Sequence, residues 1–249
     1  MNMVCKSCGI SLSEEANFCP DCGTPVKKIA QKDENNHTNL IIAFYITELV
    51  FLIITYFIYK EGNSLFKEIV IESISAIIIL GFASLDFKNI LKLYNFPRIN
   101  PWIYFGVVIT PLITGLIVYY GMEFVNLEFF YESYNIYAEY AEYPNSLFWA
   151  ILFIAITPPI FEELAFRGFL FNQLQKVANP QVTIILTAFI FSLVHFSFIS
   201  LIWIFPFGLL LGYLRYKYNT LWLGIIIHFI HNLIVLSLDY YYFGNTLSF

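Results

Sequence analysis

Residues 147–171 read "LFWAILFIAITPPIFEELAFRGFLF". The run is apolar and long enough to cross the hydrocarbon of a bilayer, which takes about 20 helical residues. Its second half nevertheless carries two prolines, two adjacent glutamates and an arginine. Ionisable groups at that depth are expensive and usually functional. The stretch therefore decides two matters together. The chain is a membrane protein, and its function requires Glu162, Glu163 and Arg167 inside the membrane.

Composition supports the first conclusion. Of 249 residues, 59% are hydrophobic and 12% are charged. A soluble domain has about 45–50% apolar and about 25% charged residues. The net charge of −5 argues against a nucleic-acid partner. The frequent Ile, Phe, Tyr, Asn and Lys point to an AT-rich bacterial genome. Apolar runs fall at 40–59, 65–85, 101–121, 147–171, 181–197, 198–214 and 219–240. Only helices and closed barrels satisfy their backbones in lipid, and these runs lack the alternation of a barrel strand. The second run is the weakest, with Lys67, Glu68 and Glu72 in its first half. The fifth and sixth meet at Ser197 almost without a loop, which leaves a bent or re-entrant arrangement open. The expected fold is an all-α polytopic membrane protein of about seven transmembrane helices, behind a small N-terminal metal module.

Charge placement gives an orientation. With the N-terminus in the cytoplasm, the inside segments hold Lys6, Lys27, Lys28, Lys32, Lys88, Lys92, Arg98, Arg167, Lys176, Arg215 and Lys217. Of the 13 basic residues, Lys60 and Lys67 alone fall outside, as the positive-inside rule requires. Residues 1–23 form the polar module and 24–39 a solvated linker. Residues 40–121 form the N-terminal transmembrane helices, and 122–146 an acidic, Tyr-rich extracytoplasmic loop. In that loop Tyr131, Tyr134, Tyr137, Tyr140 and Tyr143 recur every third residue, which predicts an interfacial amphipathic helix with a Tyr face.

The N-terminal module reads "CKSCGISLSEEANFCPDCG" (5–23). Two C-x-x-C knuckles, Cys5 with Cys8 and Cys19 with Cys22, supply four thiolates for a tetrahedral Zn²⁺. Gly9 and Gly23 each follow a knuckle, where the chain must turn tightly. A module this small buries too little to fold alone, so the metal contributes its folding energy. Four protein thiolates close the coordination sphere, so the zinc is structural. Disulfides or a redox relay are the alternatives, and a cytoplasmic location disfavours both. The module resembles the short zinc ribbon at the N-terminus of many bacterial membrane proteins. Its surface is a candidate contact for a protein partner.

Within the spans the ionisable candidates are Glu162, Glu163, Arg167, His195, His228 and His231, with Asn232 beside the last. Glu162 and His195 flank the turn at Asn179–Pro180 at similar separations. At ~1.5 Å per residue they sit at nearly equal height, and His228 reaches a similar depth from its own turn. Glu163 and Arg167 are i,i+4 and form a local ion pair, as His228 and Asn232 share a face. Glu162 is turned about 100° from Glu163, so the two carboxylates have different neighbours. Pro158 and Pro159 break backbone hydrogen bonds and can open a cavity. His231 reads as a helix–helix contact.

Three motifs in order carry a resemblance: EELAFR (162–167) fits E-E-x-x-x-R, FSLVH (191–195) fits F-x-x-x-H, and HFIHN (228–232) fits H-x-x-x-N. The chain from about 145 to 240 resembles the CPBP intramembrane proteases, which include CAAX prenyl proteases and bacterial bacteriocin-processing or self-immunity proteins. The resemblance implies that residues 147–240 form a catalytic intramembrane protease domain. It implies that Glu162 and His195 hold and activate a water, with Glu162 as general base, that His228 and Asn232 stabilise the oxyanion, and that Glu163 and Arg167 support the site. A metal-dependent version would make Glu162, His195 and His228 zinc ligands; without an H-E-x-x-H signature, the metal-free form is favoured. The substrate would be a peptide or membrane protein in the lipid bilayer. Two rivals are a Glu/His proton-coupled transporter and a non-enzymatic membrane immunity or receptor protein.

Overall fold

The computed structural model describes residues 3–12, 16, 18–26, 31–130, 135–195 and 201–246. Strands β1 (Met3–Val4) and β2 (Ser11–Leu12) pair antiparallel, with Met3 opposite Leu12. Helices follow: α1 (Gln31–Lys60), α2 (Leu65–Ser84), the short α3 (Phe87–Lys92) and α4 (Pro101–Val125). Then come α5 (Ser146–Val177), α6 (Pro180–Leu193), α7 (Leu201–Tyr218) and α8 (Trp222–Thr246). The starts are set by local chemistry. Ser64, Asn100 and Asn179 each accept a backbone N–H of the first turn, and Pro101 and Pro180 sit where the missing N–H costs nothing.

Among the described residues, four helices are long and apolar enough to cross a membrane: Glu34–Lys60, Pro101–Phe129, Ser146–Val177 and Trp222–Phe243. The expected count of seven is therefore approximate. Helix α6 has 14 residues, ~21 Å at 1.5 Å per residue, and α2 carries three charges. The expected fifth span to residue 197 ends sooner, because α6 stops at Leu193. The sixth begins at Leu201 and runs to Tyr218. Part of the expected linker is helical as well, since α1 starts at Gln31. His37 Nδ1 lies 2.8 Å from Gln173 Oε1 and ties the second turn of α1 to α5.

Helix α5 is the hub. Every residue from Glu163 to Leu174 is buried. Phe166, Phe169 and Leu170 pack with Phe44 of α1, Ile79 of α2 and Phe191 of α6 in one core. Helices α6 and α7 lie against each other through small residues. A Cβ on Gly208 would meet Ala188 Cα at 3.1 Å, and one on Gly212 would meet Ile184 at 3.3 Å. Helix α4 lies along α8 in the same way, with Gly115 against Ile234. Small residues permit such close approach between membrane helices.

Two expectations need correction. The Tyr-rich segment is not an interfacial amphipathic helix over its described part. It is a single 3₁₀ turn, Ile136–Glu139, with Tyr137 and Tyr140 buried; Tyr131 and Tyr134 lie outside the described residues. The Tyr140 hydroxyl donates to Glu68 Oε1 at 2.8 Å and the Tyr59 hydroxyl to Oε2 at 2.6 Å. A buried carboxylate needs such donors, and that need pulls the tyrosines inward. Arg215 is also not a loop charge. It is 4% exposed, and Arg167 in its span is 0% exposed. Arg215 donates to Arg167 O at 2.9 Å and to Asn172 Oδ1 at 2.7 Å, and Asn172 donates to Asp86.

Replacing Gly208 by Leu is expected to part α6 from α7. Overpacking of this kind costs about 1–3 kcal/mol, so the purified protein should melt several degrees lower in detergent. An unchanged melting temperature would contradict the packing described.

Candidate functional site: a buried charge pair beside an acidic cavity

The site begins with two prolines. Pro158 has no N–H to give the Ile154 carbonyl one turn earlier. Asn232 of α8 supplies the missing donor, its Nδ2 standing 2.9 Å from Ile154 O. The i,i+4 frame is further disturbed by π-helical turns at Ile151–Ile156 and Glu163–Leu170. Such turns are frequent at functional sites, and here one begins at Glu163.

Glu163 and Arg167 pair at 3.0 Å, each side chain 1% exposed. Arg167 Nη2 also donates to Gly208 O at 3.3 Å, and its guanidinium lies 4.2 Å over the Phe191 ring. A Cβ on Gly224 would overlap Glu163 Oε2, so a glycine is needed there to seat the carboxylate. Its neighbour Glu162 points elsewhere and keeps 29% of its side chain exposed. His228 stands between the two glutamates, Nδ1 3.5 Å from Glu163 Oε1 and Nε2 3.9 Å from Glu162 Oε2. Its ring is edge-on to Phe191 and Phe207.

Glu162 opens into a cavity of about 920 Å³ between α1, α2, α5 and α6. His195, exposed just past the end of α6, lines the same cavity. Its Nδ1 donates to Phe191 O at 2.8 Å, which leaves Nε2 as the acceptor. Glu162, His195 and His228 are thus gathered, and Glu163 with Arg167 stands behind them. His231 faces α4, its Nδ1 3.3 Å from Thr114 Oγ1. The cavity also receives Glu48 of α1 and Glu72 of α2, which sequence reading passed over as site residues. Glu48 lies in an apolar run that one carboxylate does not disguise. Glu72 read only as a weakness of its span.

At the N-terminus the four cysteine sulfurs lie within 4.8 Å of one another. Cys5 and Cys22 Sγ are 3.6 Å apart, and Cys8 and Cys19 Sγ 3.4 Å. A tetrahedral zinc with bonds of about 2.3 Å needs sulfurs about 3.8 Å apart, so the set fits the metal. Gly9 and Gly23 have φ of 77° and 71° and give their N–H groups to Cys5 O and Cys19 O at 2.9 and 3.0 Å. The Thr24 hydroxyl and then its amide hold the Cys22 thiol down at about 6. The Cys8 and Ser7 amides lower Cys5. At Cys8 the Ile10 amide pulls down, but loss of water and the three neighbouring sulfurs prevail and push it up to about 12. A cation resolves that conflict by stabilising all four thiolates. The ribbon rests near the α5–α6 turn, where Leu12, Phe18, Lys176 and Pro180 border a groove of about 470 Å³.

A helical membrane protein with a buried carboxylate–histidine site and a tetrathiolate module is the class these features define. Residues 144–234 match the family model for type II CAAX prenyl endopeptidase Rce1-like, and residues 4–26 match the zinc-ribbon domain. The chain carries an Rce1-like CAAX prenyl endopeptidase domain of the CPBP family behind an N-terminal zinc ribbon. No curated protein and no solved structure matches it. At the family level the domain supports an intramembrane protease.

Metal analysis of the purified chain is expected to find about one zinc per molecule, lost on Cys19→Ser. Protons compete for the thiolates, so zinc should be held at neutral pH and released as pH falls below the thiolate range. Metal-free protein with four titratable thiols at neutral pH would refute this.

Proposed function

We propose that the protein is an intramembrane endopeptidase in which Glu162 and His195 activate water against a peptide bond held in the cavity. The observation that carries this reading is the opening of Glu162 and His195 into one cavity, inside the part of the chain that matches the CAAX endopeptidases. His195 Nε2 accepts a hydrogen bond from the water, because Nδ1–H is committed to Phe191 O. The Glu162 carboxylate takes the water proton as its oxygen bonds to the carbonyl carbon. The carbonyl π pair moves onto oxygen. An N–H at His228 Nε2, on the Glu162 side, and the second amide hydrogen of Asn232 donate to that oxyanion. The oxyanion pair then re-forms the carbonyl as the C–N bond breaks, and the nitrogen leaves with that bond's electron pair and the proton held by Glu162. Glu163 and Arg167 do no chemistry; they fix the helix that presents Glu162.

The substrate is a peptide or a membrane protein that enters from the bilayer. The ribbon faces the cytoplasm on this reading, together with Lys88, Lys92, Arg98, Lys176 and Lys217, all exposed.

Mapping of new protein N-termini in membranes tests the reading. Termini that appear with the wild-type protein are expected to fall by ~10²-fold or more with Glu162→Gln or His195→Ala, the scale of general acid–base catalysis. Termini unchanged by both substitutions would overturn it.

A further inference from the structure

The cavity in front of Glu162 is acidic on the sides that bond cleavage does not use. Glu48, Glu68, Glu72 and Glu139 line it together with Glu162, and none of the described lining residues is Lys or Arg. These carboxylates are not equivalent. Both Glu68 oxygens accept tyrosine hydroxyls. Glu48 is different: it is 9% exposed, and its Oε1 is shut from solvent without a hydrogen-bond partner. Buried oxygens rarely stay unpartnered in native proteins, and leaving one so is costly. Glu72 lines the same cavity from α2, as Glu48 does from α1. Like charges around one cavity focus a field that draws in a cation, and an ammonium or guanidinium brings the donor that the Glu48 carboxylate lacks.

We propose that Glu48 and Glu72 form a specificity subsite for a Lys or Arg side chain of the substrate, next to the scissile bond. This rests on the peptidase reading of the same cavity. A neutral side chain of similar length would leave the Glu48 carboxylate without a donor. Sites with buried polar groups reject analogues that cannot pair with them much more strongly than apolar pockets reject a missing methylene. Glu48 and Glu72 are thus specificity residues and take no part in bond breaking.

Two experiments separate this proposal from the peptidase reading. Binding is first read apart from cleavage, with the full chain carrying Glu162→Gln in lipid nanodiscs. The probes are acetyl-Leu-Lys-Leu-amide and its norleucine counterpart. The lysine peptide is expected to bind at least ~10-fold more tightly, and the difference should vanish with Glu48→Gln and Glu72→Gln together. Should that pair fail to fold, Glu72→Gln alone, at the cavity wall, should reduce it. Equal binding of the two peptides would overturn the subsite. In the second experiment, cuts that depend on Glu162 should show Lys or Arg enriched within three residues of the cleaved bond. Glu162-dependent cuts without that enrichment would also overturn it. If no Glu162-dependent cuts are found, the peptidase reading fails, and the peptide binding still decides the subsite.

Discussion

A guanidinium and a carboxylate, Arg167 and Glu163, meet at 3.0 Å where neither water nor lipid reaches them. In such surroundings a lone charge costs several kcal/mol, and only a well-placed partner with further hydrogen bonds offsets it. The pair therefore constrains every element around it. Helix α7 must offer the Gly208 carbonyl to Arg167. Helix α6 must lay the Phe191 ring against the guanidinium. Helix α8 must carry a glycine at 224, because a Cβ there would overlap Glu163. With α5 fixed on those three sides, its next carboxylate, Glu162, is left facing the cavity shared with His195.

The same demand for partners explains contacts that look unrelated. Pro158 frees the Ile154 carbonyl, and Asn232 takes it up from α8. Glu68 in α2 draws Tyr59 and Tyr140 onto its two oxygens, which fastens the loop between α4 and α5 over α2. Arg215 meets the Arg167 carbonyl and Asn172. In a medium without water, each polar group has to find its partner inside the protein, and the helices are arranged to allow it. Several buried atoms nevertheless have no hydrogen-bond partner among the described residues, among them Glu48 Oε1, Glu162 Oε2, Glu163 Oε2 and Arg167 Nε.

Much of this was legible in the sequence, because helical periodicity acts at short range. The Glu163–Arg167 pair follows from i,i+4 spacing. The nearness of Glu162 to His228 follows from residue counts along the helices, and the cysteine cluster from two C-x-x-C knuckles. What stayed hidden depends on packing between distant segments. Nothing near Asn232 says that it completes a turn broken by Pro158. The three-residue rhythm of the tyrosines looks like an interfacial face until Glu68 is found to need two of them. Arg215 lies near a helix end, where basic residues usually mark a loop, and only the placement of Asn172 and Arg167 shows it to be buried. The glycines at 208 and 224 gain meaning only from what lies opposite them.

On the proposed peptidase reading the two adjacent glutamates do different work, one chemical and one structural. Parallel measurement of proteolysis and thermal unfolding in the Glu162→Gln and Glu163→Gln proteins tests this division most directly. Glu162→Gln should retain the wild-type melting temperature and lose proteolysis. Glu163→Gln should melt markedly lower, because breaking a buried ion pair costs about 3–5 kcal/mol. A Glu163→Gln protein as stable as wild type, or a Glu162→Gln protein that still cleaves, would contradict it.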